Sequence, residues 1–172
     1  MISPPIVSYR ETVKEESREI VEKSANEKNE IKVRVKPLNE QCVNALSTQI
    51  IPKLSQVGKK RANSLLKRAK SICGIDGEIW GLTEHPNVLV SYVSETKEIT
   101  AVKDHIIEAF EDICKSGPLC GEPLRGVNFE ILDLKVSKNA TERDSLQIIP
   151  MVLRAFTKAL KDAKLTLLEP IY

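Results

Sequence analysis

Between residues 31 and 36 apolar and cationic side chains alternate, with Ile31, Val33 and Val35 set against Lys32, Arg34 and Lys36. A period of two predicts a strand with one buried face. Two shorter apolar runs precede it, Ile6, Val7 and Tyr9, then Ile20 and Val21, and predict two more strands. The polar stretch 23–30 is rich in turn formers and predicts a hairpin between the second strand and the third. After Pro37 the period lengthens to that of a helix through Val43, Leu46 and Ile50, which Pro52 is expected to interrupt. Leu54, Val57, Leu65, Leu66 and Ala69 then give residues 53–70 the apolar face of a second helix. Gly74, Gly77 and Gly81 predict irregular chain around Trp80, and Val88, Val90, Tyr92 and Val93 predict a strand. The clearest helix is 96–116, where Ile99, Val102, Ile106, Ala109, Phe110 and Ile113 recur at helical spacing until Gly117 and Pro118 stop it. A strand through Val127, Phe129, Ile131, Leu132, Leu134 and Val136 follows, then a polar loop over 137–145 and a helix over 147–162. Pro150 is placed in that helix's first turn, where a missing N–H is tolerated. A last extended segment covers 165–171. No internal repeat is evident, and the order β-β-β-α-α-β-α-β-α-β predicts an α/β sandwich with a mixed sheet.

Length changes this picture little: 172 residues predict a single domain spanning 1–172. With 41% hydrophobic and 29% charged residues, the composition excludes intrinsic disorder. No apolar run approaches the roughly 20 residues needed to cross a bilayer, so no membrane partner is expected. The first residues lack a basic stretch followed by an apolar one, so the expected location is cytoplasmic. The net charge of +2 selects no partner, but its distribution is uneven. Residues 53–70 carry seven cations (Lys53, Lys59, Lys60, Arg61, Lys67, Arg68 and Lys70) and no acid. Such a segment is either a solvated helix face or one that contacts phosphates.

Candidate chemistry is sparse. The four cysteines are Cys42, Cys73, Cys114 and Cys120; even the nearest pair falls outside zinc-ligand spacing, and reduced, mostly buried thiols are expected. No phosphate-binding glycine loop of either common type occurs. The two histidines, His85 and His105, have no evident catalytic company, and the adjacent Glu111 and Asp112 do not share a helix face. No catalytic residue, metal site or cofactor site is nominated.

Three segments together carry a resemblance. They are Pro5-Ile6-Val7-Ser8-Tyr9-Arg10-Glu11-Thr12-Val13; Gly117-Pro118-Leu119-Cys120-Gly121-Glu122-Pro123-Leu124-Arg125-Gly126-Val127-Asn128-Phe129; and the pair Gln147-Ile148-Ile149-Pro150 with Leu167-Leu168-Glu169-Pro170-Ile171-Tyr172. Trp80 after Ile79 adds a weaker fourth point. In order and spacing they resemble domain IV of archaeal and eukaryotic elongation factor 2, over the whole chain. The resemblance implies a four-stranded mixed sheet backed by helices, with a left-handed βαβ crossover where general rules favour a right-handed one. It implies a domain that mimics the anticodon arm of tRNA, its tip entering the decoding centre of the small ribosomal subunit. It also implies that any GTPase centre, with its GTP and Mg, belongs to another domain of an elongation-factor-2-like GTPase.

The implied tip loops are 23–30 and 137–146, and both depart from the family pattern. The second commonly reads H-x-D-x-x-H-R-G-x-x-Q, its second His carrying diphthamide. Here Glu142 takes that position, so no diphthamide is expected; Arg143 and Gln147 are kept, and Asp144-Ser145-Leu146 replaces the glycine stretch. In the first loop Ser24, Asn26 and Asn29 are kept while Glu27 replaces a base. The carboxylates gained at the tip oppose binding to RNA phosphates. The resemblance therefore implies a ribosome-associated, diphthamide-lacking domain without catalysis. Its expected RNA or ribosome contacts are Asn26, Lys28, Lys138, Asn139, Glu142 and Arg143 at the tip, and Lys59, Lys60, Arg61, Lys67 and Arg68 on the basic segment. The alternative is a protein-interaction module of an elongation-factor-2-like protein in ribosome maturation or splicing. Salt separates the two, because phosphate contacts weaken steeply with it.

Overall fold

The alternation at residues 31–36 builds the centre of the molecule. In the computed structural model, which describes residues 9–54 and 56–168, this segment belongs to β3 (Glu30–Pro37), flanked by β2 (Ile20–Lys23) on one side and β6 (Val127–Lys135) on the other. β5 (Val88–Ser91) and β4 (Glu78–Leu82) complete a five-stranded sheet of order β2-β3-β6-β5-β4. Only β5 and β6 run parallel, joined through α4 (Lys97–Lys115). The expected mixed sheet is present, with β4 as an additional edge strand. The glycines that predicted irregular chain there mark close approach instead. A Cβ on Gly81 would meet the Phe110 ring at 3.0 Å, and one on Gly77 would come within 2.6 Å of Val90 Cγ1.

Helices cover both faces of the sheet, to different extents. On one face Ile31, Val33, Val35, Phe129 and Ile131 pack against α4 and α5 (Ser145–Asp162). Phe110, Phe129 and Phe156 stack edge-to-face there, with centroids 5.3 and 4.9 Å apart, a geometry worth about 1 kcal/mol per pair beyond burial. On the other face Val88 and Val90 of β5 form a second, smaller core with Ile79, Cys42, Leu46, Ile50 and Ala69. That layer comes from α1 (Glu40–Ala45), a π turn (Leu46–Ile50), α2 (Ile51–Leu54) and α3 (Lys59–Cys73).

Two expectations change here. Pro52 does not interrupt the helical segment but sits within α2. The π turn precedes it, with the Ile51 N–H donating to the Leu46 carbonyl five residues back, and this wider turn relieves the clash that a proline ring makes with the preceding turn. The thiols are not all reduced either: Cys42 and Cys73 form a disulfide, with Cα atoms 5.0 Å apart, tying α1 to the end of α3. Closing a loop of 31 residues stabilises the fold by roughly 3–4 kcal/mol in the chain-entropy view. Cys114 stays a buried thiol whose pKa burial pushes up, and Cys120 is exposed.

β1 (Arg10–Val13) pairs antiparallel with β7 (Leu165–Leu168) in a separate two-stranded sheet. Of the first and last expected strands, residues 6 and 7 and 169–171 lie outside the described residues. β1 explains why two of the resembling segments occur together. The Glu11 carboxylate is fully buried and accepts backbone N–H bonds from Leu119 (2.8 Å), Glu122 (2.8 Å) and Cys120 (3.3 Å). A Cβ on Gly117 would overlap that carboxylate, so the loop needs glycine there as much as it needs the acid. Glu11 thus fixes the link between α4 and β6, and with it the strand that leads to the tip.

α5 begins earlier than expected. Asp144 is its N-cap, with Oδ1 accepting from the Gln147 N–H at 3.2 Å. Pro150 therefore lies beyond the first turn, inside the helix.

Candidate functional site

The tip is built where the β2–β3 turn meets the connection from β6 to α5. In the first loop the Ser24 N–H donates to the Asn29 carbonyl at 3.0 Å, and Glu27 sits at φ 60°, a left-handed conformation unusual outside glycine and asparagine. In the second loop Ala140–Arg143 form one 3-10 turn, capped by Asn139, whose Oδ1 accepts from the Thr141 N–H at 3.1 Å.

Polar side chains join the two loops. Asn26 and Asn29 each donate an amide N–H to the carbonyl of Glu142, both at 2.8 Å. The Asn26 N–H donates to Gln147 Oε1 at 3.0 Å, and the Ser137 N–H donates to Asn29 Oδ1 at 3.0 Å. Arg143 closes its own loop by donating from Nη1 to the Ser137 carbonyl at 2.9 Å. Ser24 and Asn29 are buried, whereas Asn26, Glu142, Arg143 and Gln147 are half-buried. Buried polar groups satisfied in this way fix one arrangement of the loops.

This network divides the tip into frame and surface. Asn26, Asn29 and Gln147 bond the two loops to each other, while Ser24 and Arg143 each brace their own loop; all five are positions that the resemblance marks as kept. The altered positions lie largely outside the frame. Glu27 and Leu146 are exposed, Leu146 at 77%. The Glu142 carboxylate accepts a hydrogen bond from the Ser137 hydroxyl at 3.2 Å, while its backbone carbonyl carries the two amide bonds. Asp144 has a structural task as the helix cap. Lys28, Lys138 and Asn139 are exposed at the same end. The positive charge of this region reaches α4: the Glu98 carboxyl lies below its usual value, first through its own backbone N–H and Thr96, then through Arg143 and Lys138.

The eleven nominated residues thus fall into two groups. Asn26, Lys28, Lys138, Asn139, Glu142 and Arg143 come together at the tip. Lys59, Lys60, Arg61, Lys67 and Arg68 lie on the exposed side of α3, which packs against α1 and the π turn on the other half of the sheet. No hydrogen bond or ion pair among the described residues connects the groups. Sequence reasoning did not nominate Ser24, Asn29 or Gln147, although their retention in the two loops was the available signal. Among the described residues no cluster of three His, Cys, Asp or Glu side chains is placed to hold a metal ion, and no helix is long and apolar enough to cross a membrane.

Comparison with known proteins bears on the resemblance. The family model for elongation factor G, domain IV, matches residues 48–164. Elongation factor 2 of Aeropyrum pernix is 36% identical over 169 residues, 98% of this chain and 23% of that protein. Those of Desulfurococcus mucosus and Staphylothermus marinus are 35% and 34% identical over the same shares. The chain spans about a quarter of the length of these relatives. With a match over more than half its length, the chain belongs to the elongation factor G domain IV family, as a translation-factor-like domain.

Proposed function

We propose that residues 1–172 act as one cytoplasmic, ribosome-binding domain whose tip reaches the decoding region of the small subunit, against rRNA and tRNA, as a protein imitation of a tRNA arm. The observation that carries this reading is the hydrogen-bonded frame at the tip, which holds the two loops in one arrangement. Lys28, Lys138 and Asn139 present the RNA-facing surface. Glu142, Asn26 and Arg143 position that surface rather than bind through their own side chains. A glutamate at 142 has no imidazole to modify, so the domain works without diphthamide. It performs no catalysis, and GTP with Mg belongs to a different domain of an elongation-factor-2-like GTPase. Cosedimentation with small ribosomal subunits tests the reading. Binding at 50 mM salt that falls steeply by 200 mM, and weakens in Lys28→Glu/Lys138→Glu, is expected; no binding at low salt overturns it.

A second reading rests on Leu146, whose exposure at the tip offers an apolar contact to a protein, as in ribosome maturation or splicing. It requires binding that is indifferent to salt, lost in Leu146→Ser and retained in Lys28→Glu.

A further inference from the structure

α3 has an unusual balance of forces. Of its fifteen residues only Ala69 is fully buried, with Leu65, Leu66 and Cys73 packed partly against the second core. Its outer side gathers Lys59, Lys60, Arg61, Lys67 and Arg68, and none of these has a carboxylate within ion-pair distance among the described residues. Elsewhere in the molecule Arg18, Arg34, Lys103, Arg154 and Lys158 all have acidic partners. Unpaired like charges on one short helix repel, and an anion relieves that repulsion.

The cations also have a shape to work with. Lys53, Gln56, Arg61, Ser64 and Arg68 line a cleft of about 560 Å³ between α2 and α3. Arg61, Ser64 and Arg68 are spaced three and four residues apart and share a helix face; the two arginines are about 10 Å apart along the axis. Arg68 is held in place, its Nη2 donating to Gln49 Oε1 at 3.0 Å. Two guanidinium forks, an ammonium and a hydroxyl are the donors that phosphate oxygens accept from.

Three kinds of anionic partner differ in what else they require. A membrane surface needs an apolar outer face, but the apolar lining of the cleft is only the half-buried Val57 and Leu65, Leu66 packs against the second core, and Ile72 is the one exposed large apolar side chain of α3. Single-stranded RNA is usually held by aromatic platforms as well as charge, and no aromatic residue lines the cleft. A duplex read through its backbone needs neither. We propose that the α2–α3 cleft clamps the phosphate backbone of double-stranded RNA without reading sequence, at a surface separate from the tip. The choice of RNA over an acidic protein rests on the ribosomal reading above.

The test uses the 172-residue chain and a labelled RNA hairpin of arbitrary sequence, followed by fluorescence anisotropy. With three phosphates neutralised, affinity should fall about 40-fold between 50 and 200 mM salt, and Arg61→Ala/Arg68→Ala should lower the logarithmic salt slope by about 1.8. Both arginines are exposed, so an unchanged melting curve verifies that the variant is folded. Lys97→Ala/Lys115→Ala, at two exposed cations of α4 outside both the cleft and the tip loops, should leave hairpin binding unchanged. The proposal is overturned by hairpin binding that the double alanine variant retains, by a preference for the single strand of the same sequence, or by arginine-dependent binding of polyglutamate or anionic vesicles without binding of the hairpin. If the cleft binds hairpin RNA as described and small subunits do not bind at low salt, the clamp stands and the tip reading fails.

Discussion

The tip and the basic helix are held in opposite ways. At the tip, hydrogen bonds involving Asn26, Asn29, Gln147 and Arg143 fix two polar loops. Along α3 few polar groups are engaged, and the helix is kept in place by a thin apolar seam and the Cys42–Cys73 disulfide. The contrast shows where sequence is free to change. A loop frame made of side-chain amides and backbone carbonyls tolerates new side chains wherever the backbone alone is used, as at 142. A helix fixed by a seam and one covalent bond leaves its entire outer face open to charge.

The largest effect expected from breaking this contrast is at the disulfide. Cys42→Ser/Cys73→Ser should lower the stability to denaturant by roughly 3–4 kcal/mol, and it should increase amide exchange in α3 before the tip. Next comes Asn29→Ala, which removes the side-chain bonds to Ser24, Ser137 and Glu142 and leaves the half-buried Ser137 N–H without a partner. Its cost should be about 2–3 kcal/mol in the same unfolding measurement. Glu142→Ala should change stability by less than about 0.5 kcal/mol, because its carbonyl, and not its carboxylate, carries the frame. A loss as large as that of Asn29→Ala would erase the distinction between frame and surface.

The smallest effect depends on pH and lies in neither region. The carboxylate of Asp162 is held below its ordinary value of 3.8, first by the Arg18 backbone N–H at 2.7 Å and then by the Arg18 guanidinium. A depressed carboxylate pKa stabilises the fold above the unfolded value, and this contribution fades as pH falls through the folded one. Asp162→Asn should therefore lower the melting temperature slightly at pH 7, and the difference should vanish as the pH drops below 3.8.

The sequence revealed the fold where periodicity was strong and hid it where close packing replaced periodicity. The alternation around Val33 and the helical repeat from Ile99 to Ile113 placed β3 and α4, since burial on one face is what produces such patterns. β4 was obscured because Gly77 and Gly81 are required by Val90 and Phe110, contacts that no local pattern displays. The disulfide was equally hidden, as its cysteines are 31 residues apart and meet only when α1 and α3 pack together. At the tip, Asn26 and Arg143 were legible as retained residues, yet their role as frame depends on a meeting of loops more than 100 residues apart in sequence. The cations of α3 were visible from composition alone; the cleft that Arg61 and Arg68 line required the turn at α2.

The division between frame and surface is tested most directly by native-state hydrogen exchange at two backbone amides, Asn26 and Ser137. Both belong to polar loops, but each donates to a side chain of the facing loop or its flanking helix. Slow exchange at both, abolished in Asn29→Ala for Ser137 and unchanged in Glu142→Ala, is expected. Exchange at the rate of an unstructured peptide in the unsubstituted chain would mean that the two loops are not joined.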